Sequence, residues 1–126
     1  MSNDFLNVFL TEMKTNVNGF IAVAVTEIET GLSYGNISID SAFDPELASA
    51  YNLEVVKAKL SAVKALNLNQ DIEDILITLT SQIHIIDISP NNKFMVYLVA
   101  DSAKANLGMT RAVLRKHKAD LEKNLA

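Results

Sequence analysis

This sequence predicts an α+β domain, one five-stranded antiparallel sheet with helices on both faces, in the order α-β-β-α-β-β-β-α. Three observations predict it. The 126 residues fit one compact domain spanning 1–126. Five short apolar or β-branched runs are set apart by turn residues or by stretches whose apolar residues recur at three- and four-residue steps. A composition of 49% hydrophobic and 21% charged residues is ordinary for a packed core. With no Trp and only 6% aromatic residues, that core must be built from Val, Ile, Leu and Ala.

Taken in order, Asp4 reads as the N-cap of a first helix carrying Phe5, Val8, Phe9 and Met13, which Asn16-Val17-Asn18-Gly19 ends. Phe20–Thr26 is a nearly uninterrupted apolar run, the pattern of a strand covered on both faces. Glu29-Thr30-Gly31 turns the chain into a more polar return strand, Ser33–Ile39. Asp44-Pro45-Glu46 opens a second helix running to about Leu66: Asp caps it, Pro takes the first helical position and Glu complements the positive helix end. Strand patterns follow at Ile75–Thr80, Ile83–Ile88 and, after the turn Ser89-Pro90-Asn91-Asn92, at Phe94–Ala100. Asp101-Ser102 reads as the cap of a last helix from about Ala103 to Lys123.

On a wheel of about 100° per residue, the second helix shows two apolar arcs. Leu47, Ala48, Tyr51, Val55, Ala58, Ala62, Ala65 and Leu66 form an arc of the width expected on a sheet. Leu53, Val56, Leu60 and Val63 step by 3, 4 and 3, the seam spacing of paired helices, and so read as a contact with either a neighbouring helix of the same chain or a second copy. The strand Asp74–Thr80 is strongly β-forming and lacks Pro and Gly, so at a sheet edge it would recruit another strand. If the strand lies at an edge, and Glu73 and Asp74 do not blunt it, Ile75, Ile77 and Leu79 join the expected dimer interface.

The chemistry-bearing residues are sparse. With no Cys, a disulfide frame, a cysteine zinc site and a thiol nucleophile are excluded. Gly31-Leu32-Ser33-Tyr34-Gly35 matches the Gly-x-Ser-x-Gly nucleophile elbow, but that elbow joins a strand to a helix, whereas a strand follows here. His84 alternates away from Asp87, and His117 sits among Arg115, Lys116 and Lys118, so neither reads as a metal ligand or a catalytic base. Asp71, Glu73 and Asp74 lack the spacing of a calcium loop. Neither a phosphate-binding Gly-rich loop nor a dinucleotide fingerprint occurs. No metal, no cofactor and no catalytic residue is expected.

Charge is uneven. Residues 1–103 hold 5 Lys and 13 acidic residues, whereas residues 104–126 hold 6 Lys or Arg and 2 acidic ones. The basic end offers Arg111, Arg115, Lys116 and Lys118 as a docking surface for an acidic partner; without aromatic platforms, nucleic acid is not expected. The N-terminal residues have no basic leader and the apolar runs are short, so a cytoplasmic protein without membrane insertion is the default.

Several residues together carry a resemblance. Gly19 and the apolar strand after it, the turn Gly31-Leu32, Glu46-Leu47-Ala48 at the start of a long Ala-rich helix, and Ala100-Asp101 followed by Asn106-Leu107-Gly108-Met109-Thr110-Arg111 resemble the roadblock/dynein light chain family, as in a bacterial stand-alone member. The similarity runs from about Phe5 to Leu125, and Asn106-Leu107-Gly108 is its most specific part. Asn18 stands where the family often has Pro, and the hairpin tip lacks the usual Asp-Gly. The resemblance implies a profilin-like sheet, a homodimer, and a non-catalytic role docking or regulating a Ras-like GTPase. The alternative from another class is a small-molecule-binding or enzymatic domain with a pocket on the sheet. Gly108, which interrupts the last helix, is expected to face a close backbone approach.

Overall fold

A computed structural model describes residues 2–125 as α1 (Ser2–Asn16), β1 (Phe20–Glu27), β2 (Ser33–Ser38), α2 (Pro45–Ala65), β3 (Asp74–Thr78), β4 (Gln82–Ile88), β5 (Phe94–Asp101) and α3 (Leu107–Leu125). The five strands form one antiparallel sheet in the order β2-β1-β5-β4-β3. The expected element order is the one found.

Side-chain alternation along the central strand β5 divides the core in two. Phe94, Val96, Leu98 and Ala100 join Phe9, Met13, Leu114 and Leu121 beneath α1 and α3. Met95, Tyr97 and Val99 point the other way, toward Leu53 and Val56 of α2. Gly35 on β2 lets α1 settle onto that edge: a Cβ there would meet Leu6 at 2.9 Å.

α2 starts as its sequence dictates. The Asp44 carboxylate accepts from the Glu46 and Leu47 N–H groups at 3.1 and 3.2 Å, and Pro45 occupies the first turn. Past its end, Asn67 takes φ 53° and Asn69 φ 57°, left-handed values that Asn tolerates better than most residues.

The sheet-facing arc of α2 is the opposite of the one its width suggested. Leu53 and Val56 are 5% and 0% exposed against the sheet, with Leu60 packed behind them and Val63 half-buried. Leu47, Tyr51 and Leu66 are 56%, 73% and 67% exposed. Leu53 and Val56 therefore belong to the core and are not open to a second copy. The physical reason is volume: branched Leu and Val fill the pleat over Ala22, Tyr97 and Val99, which an Ala-rich arc would leave loosely packed.

The helix boundaries also differ at both ends of the chain. α1 begins at Ser2, so Asp4 lies in its first turn and does not cap it. Asp101 and Ser102 do not cap α3. The Asp101 carboxylate accepts from the Ala103 N–H in a separate turn, and α3 begins at Leu107 behind Asn106, whose side chain accepts from the Met109 N–H at 3.1 Å.

Gly108 consequently sits in the first turn of α3, exposed, and a Cβ there would meet nothing nearer than Asn106 Oδ1 at 3.6 Å. The expected close approach is absent at this position; the crowded one is Gly19, φ 75°, whose Cβ would lie 3.0 Å from the Asp101 carbonyl oxygen. Gly108→Ala should thus leave thermal stability equal or raise it by up to about 1 kcal/mol, which calorimetry can read.

Candidate functional site

Exposed apolar surface gathers on the α2 side of the molecule. Leu47, Tyr51, Val55, Ala58 and Leu66 run as a stripe along the helix face turned away from Leu53 and Val56. Asn52, on the flank of the helix next to this stripe, lies beside the Tyr97 hydroxyl of β5, whereas Leu53 on the other flank lies beside Gly31 in the β1–β2 hairpin. The stripe therefore leans toward β5, β4 and β3.

Beyond α2 on that side, the cover over the sheet thins. Met95, Tyr97 and Val99 of β5 and Ile86 and Ile88 of β4 are buried, but His84 on β4 and Ile75 and Ile77 on β3 are only half-buried. β3 pairs with β4 alone, so its outer backbone groups face solvent, and Leu79 just past it is exposed. The stripe, the thinly covered strip and the β3 residues Ile75 and Ile77 all lie on the α2 side of the sheet. Of the residues expected to make a dimer interface, Ile75 and Ile77 are thus half-buried on this side and Leu79 is exposed. Leu60 and Val63 are half-buried on α2, and Leu53 and Val56 are buried against the sheet.

His84 stands in the middle of this strip. Its Nε2 is 2.8 Å from Gln82 Oε1 and its Nδ1 is 2.9 Å from the Tyr97 hydroxyl. Phe43 and Tyr97 meet the imidazole edge-on, with ring centroids 6.3 and 5.4 Å away. Burial pushes the imidazole pKa down, and burial pushes the Tyr97 phenol up to about 12, partly offset by Asn52.

The opposite face of the same edge is ionic. Asp74 and Asp87 are cross-strand neighbours on the α3 side. Arg111 grips Asp74 with two bonds of 3.0 Å, and Lys118 donates to Asp87 at 3.1 Å. Burial holds the Asp87 carboxyl above its ordinary range, and Lys118 pulls it part of the way back. Arg111 and Lys118, which the sequence had offered as docking residues, instead fasten α3 to β3 and β4. Arg115 is exposed and only 3.9 Å from Glu73, and Lys116 is exposed. The cause lies in register: residues 111 and 118 are two helical turns apart on one face, opposite the carboxylates that β3–β4 pairing sets side by side.

A pocket-based chemistry finds little here. A depression of about 540 Å³ between the end of α2 and the following loop is lined by Leu60, Val63, Lys64, Gln70, Asp71 and Ile72 among others, with no serine, threonine or histidine in its wall. Ser33 opens β2 inside a hairpin, not a helix, so the elbow motif is a turn. His117 packs its ring edge-on against Phe9 at 5.7 Å. Among the described residues no cluster of three or more His, Asp or Glu side chains could hold a metal ion, and no described helix is long and apolar enough to cross a membrane.

This architecture defines a class, the Roadblock/LC7 fold. The chain superposes on a Roadblock/LC7 domain from Streptomyces avermitilis with TM-score 0.81 at 10% identity, covering 94% of this chain and 95% of that one. It is similar to MglB from Myxococcus xanthus, with TM-score 0.80, 13% identity and coverage of 94% and 93%. MglC from the same organism matches with TM-score 0.61, 18% identity and coverage of 96% and 97%. No protein-family model and no curated protein sequence matches the chain. At these identities the likeness is one of fold, and it is the fold that the sequence resemblance implied.

Proposed function

We propose that the chain is a non-catalytic regulatory or scaffold module that pairs with a second copy of itself and docks a Ras-like GTPase. The observation that carries this is the apolar surface left open on one side of the sheet, at the α2 stripe, the half-covered strip and the unpaired β3 edge. A two-fold dimer satisfies both needs at once: β3 finds a neighbouring strand for its free backbone groups, and a second α2 covers the strip that the first cannot reach. Each fully buried Leu, Val or Ile side chain contributes roughly 1.5–3 kcal/mol, so covering the stripe and the strip favours pairing. Likeness in fold to MglB supports the reading, and one similar structure is described as MglB with a tetrameric arrangement.

The GTPase half of the proposal rests on the roadblock resemblance. The chain has two arginines, Arg111 and Arg115, and Arg111 is held by Asp74, so docking and shaping a partner fits better than donating a catalytic guanidinium. The test is affinity capture with the full chain from its native cell, followed by single-turnover hydrolysis with the captured GTPase. Arg115→Ala should change stimulated hydrolysis by less than about tenfold, whereas an arginine finger would lose on the order of a thousandfold. A loss of that larger size would overturn the scaffold reading.

A further inference from the structure

We propose that His84 makes pairing of the chain with its second copy sensitive to pH, the neutral imidazole permitting the dimer and the imidazolium releasing it. The inference rests on the dimer reading above and goes beyond it.

Geometry carries the argument. Gln82 Oε1 can only accept, so His84 Nε2 bears the ring proton and Nδ1 accepts from the Tyr97 hydroxyl. A second proton must go on Nδ1, which then donates to the Tyr97 oxygen, so the hydroxyl of the fully buried Tyr97 must turn its hydrogen away and loses its acceptor. The elements around the ring offer no compensating charge. β3 faces it with Ile77, its cross-strand partner, and with Ile75; β5 supplies Tyr97 and Val99; α2 supplies Asn52; and the segment before α2 supplies Phe43. Asp40 and Asp44 near Phe43 accept from the Ala42 and from the Glu46 and Leu47 N–H groups, and Asp101 opposite Gln82 accepts from Ala103. Lys59, on the flank of α2, is of the wrong sign to stabilise an imidazolium.

In one copy His84 is half-buried and its cation can still draw on water. A second copy laid over Ile75, Ile77 and Phe43 removes that water, so protonation opposes pairing more than it opposes folding. The sign follows from the lowered imidazole pKa: stability held by the neutral ring is present above the ordinary value of 6.5 and is lost as pH falls through the folded value.

The experiment is sedimentation equilibrium of the full chain between about pH 7.5 and about pH 5, a range that passes through a lowered imidazole pKa, with near-ultraviolet circular dichroism at each pH to follow folding. The dimer Kd should rise about tenfold or more over this range while the fold is kept, and His84→Gln should pair with a Kd that changes less than about twofold. A wild-type Kd that does not move would overturn the gate while leaving the dimer standing. A monomer already present at the higher pH would instead overturn the dimer reading. An equal loss in His84→Gln, or unfolding before dissociation, would also overturn the gate. The His84 ring titration by nuclear magnetic resonance gives an independent measure that does not alter the histidine. It should run to lower pKa in the dimer than in a Tyr51→Asp monomer, and identical curves would overturn the proposal.

Discussion

Tyr51→Asp should turn a dimer into a folded monomer. Tyr51 is the most exposed large side chain on the α2 stripe, so a carboxylate there costs the isolated fold almost nothing. Across a two-fold contact the same change removes two aromatic rings and places two like charges in an apolar surface, weakening association by on the order of a hundredfold or more. Sedimentation velocity with circular dichroism separates the outcomes. A variant that still pairs like wild type would remove the α2 stripe from the interface, and a wild-type monomer at tens of micromolar would remove the interface itself.

Leu53→Ala and Leu47→Ala should differ by several kcal/mol although the two residues share one helix. Leu53 is buried over the sheet, where Leu→Ala substitutions cost about 2–5 kcal/mol in lost transfer energy and residual cavity. Leu47 is exposed, and its truncation should change unfolding free energy by less than about 0.5 kcal/mol at protein concentrations where the chain is monomeric. Urea denaturation reads both. Equal costs would mean that α2 docks with a different face from the one described, and would undo the assignment of the stripe.

That pair of residues also shows what the sequence could and could not convey. Strands β1 and β5 were plain because long apolar runs covered on both faces have few other uses, and the cap Asp44-Pro45 named the start of α2 to the residue. The two apolar arcs of α2 were equally plain, but a helical wheel has no reference direction. Only the sheet beneath, with Tyr97 and Val99 leaving a pleat that branched side chains fill, decides which arc turns inward. The sequence does carry a volume argument: the wider arc, half of it Ala, is the poorer filler.

The ionic fastening of α3 was hidden for another reason. Arg111 and Asp74 are 37 residues apart, Lys118 and Asp87 are 31, and their pairing depends on how α3 crosses β3 and β4, which no local pattern encodes. The excess of positive charge after residue 103 was legible, while its consumption by the acidic edge was not. The His84 pair of hydrogen bonds was half legible: Gln82 lies two residues away on the same face, but Tyr97 required the β4–β5 register.

The strand order has a consequence for how the chain is made. β1 pairs with β5, so Phe20–Glu27 must wait for Phe94–Asp101 before its second ladder can close. As the polypeptide leaves a ribosome, β1 and β2 can form only a hairpin, and two-stranded hairpins are marginal alone. The inner edge of β1 thus stays unpaired until some three quarters of the sequence has been synthesised, and the sheet closes around β5 late, through contacts distant along the chain. Such topologies fold in milliseconds to seconds, not microseconds, and in that interval the nascent protein depends on whatever shields Phe20–Glu27 from its neighbours.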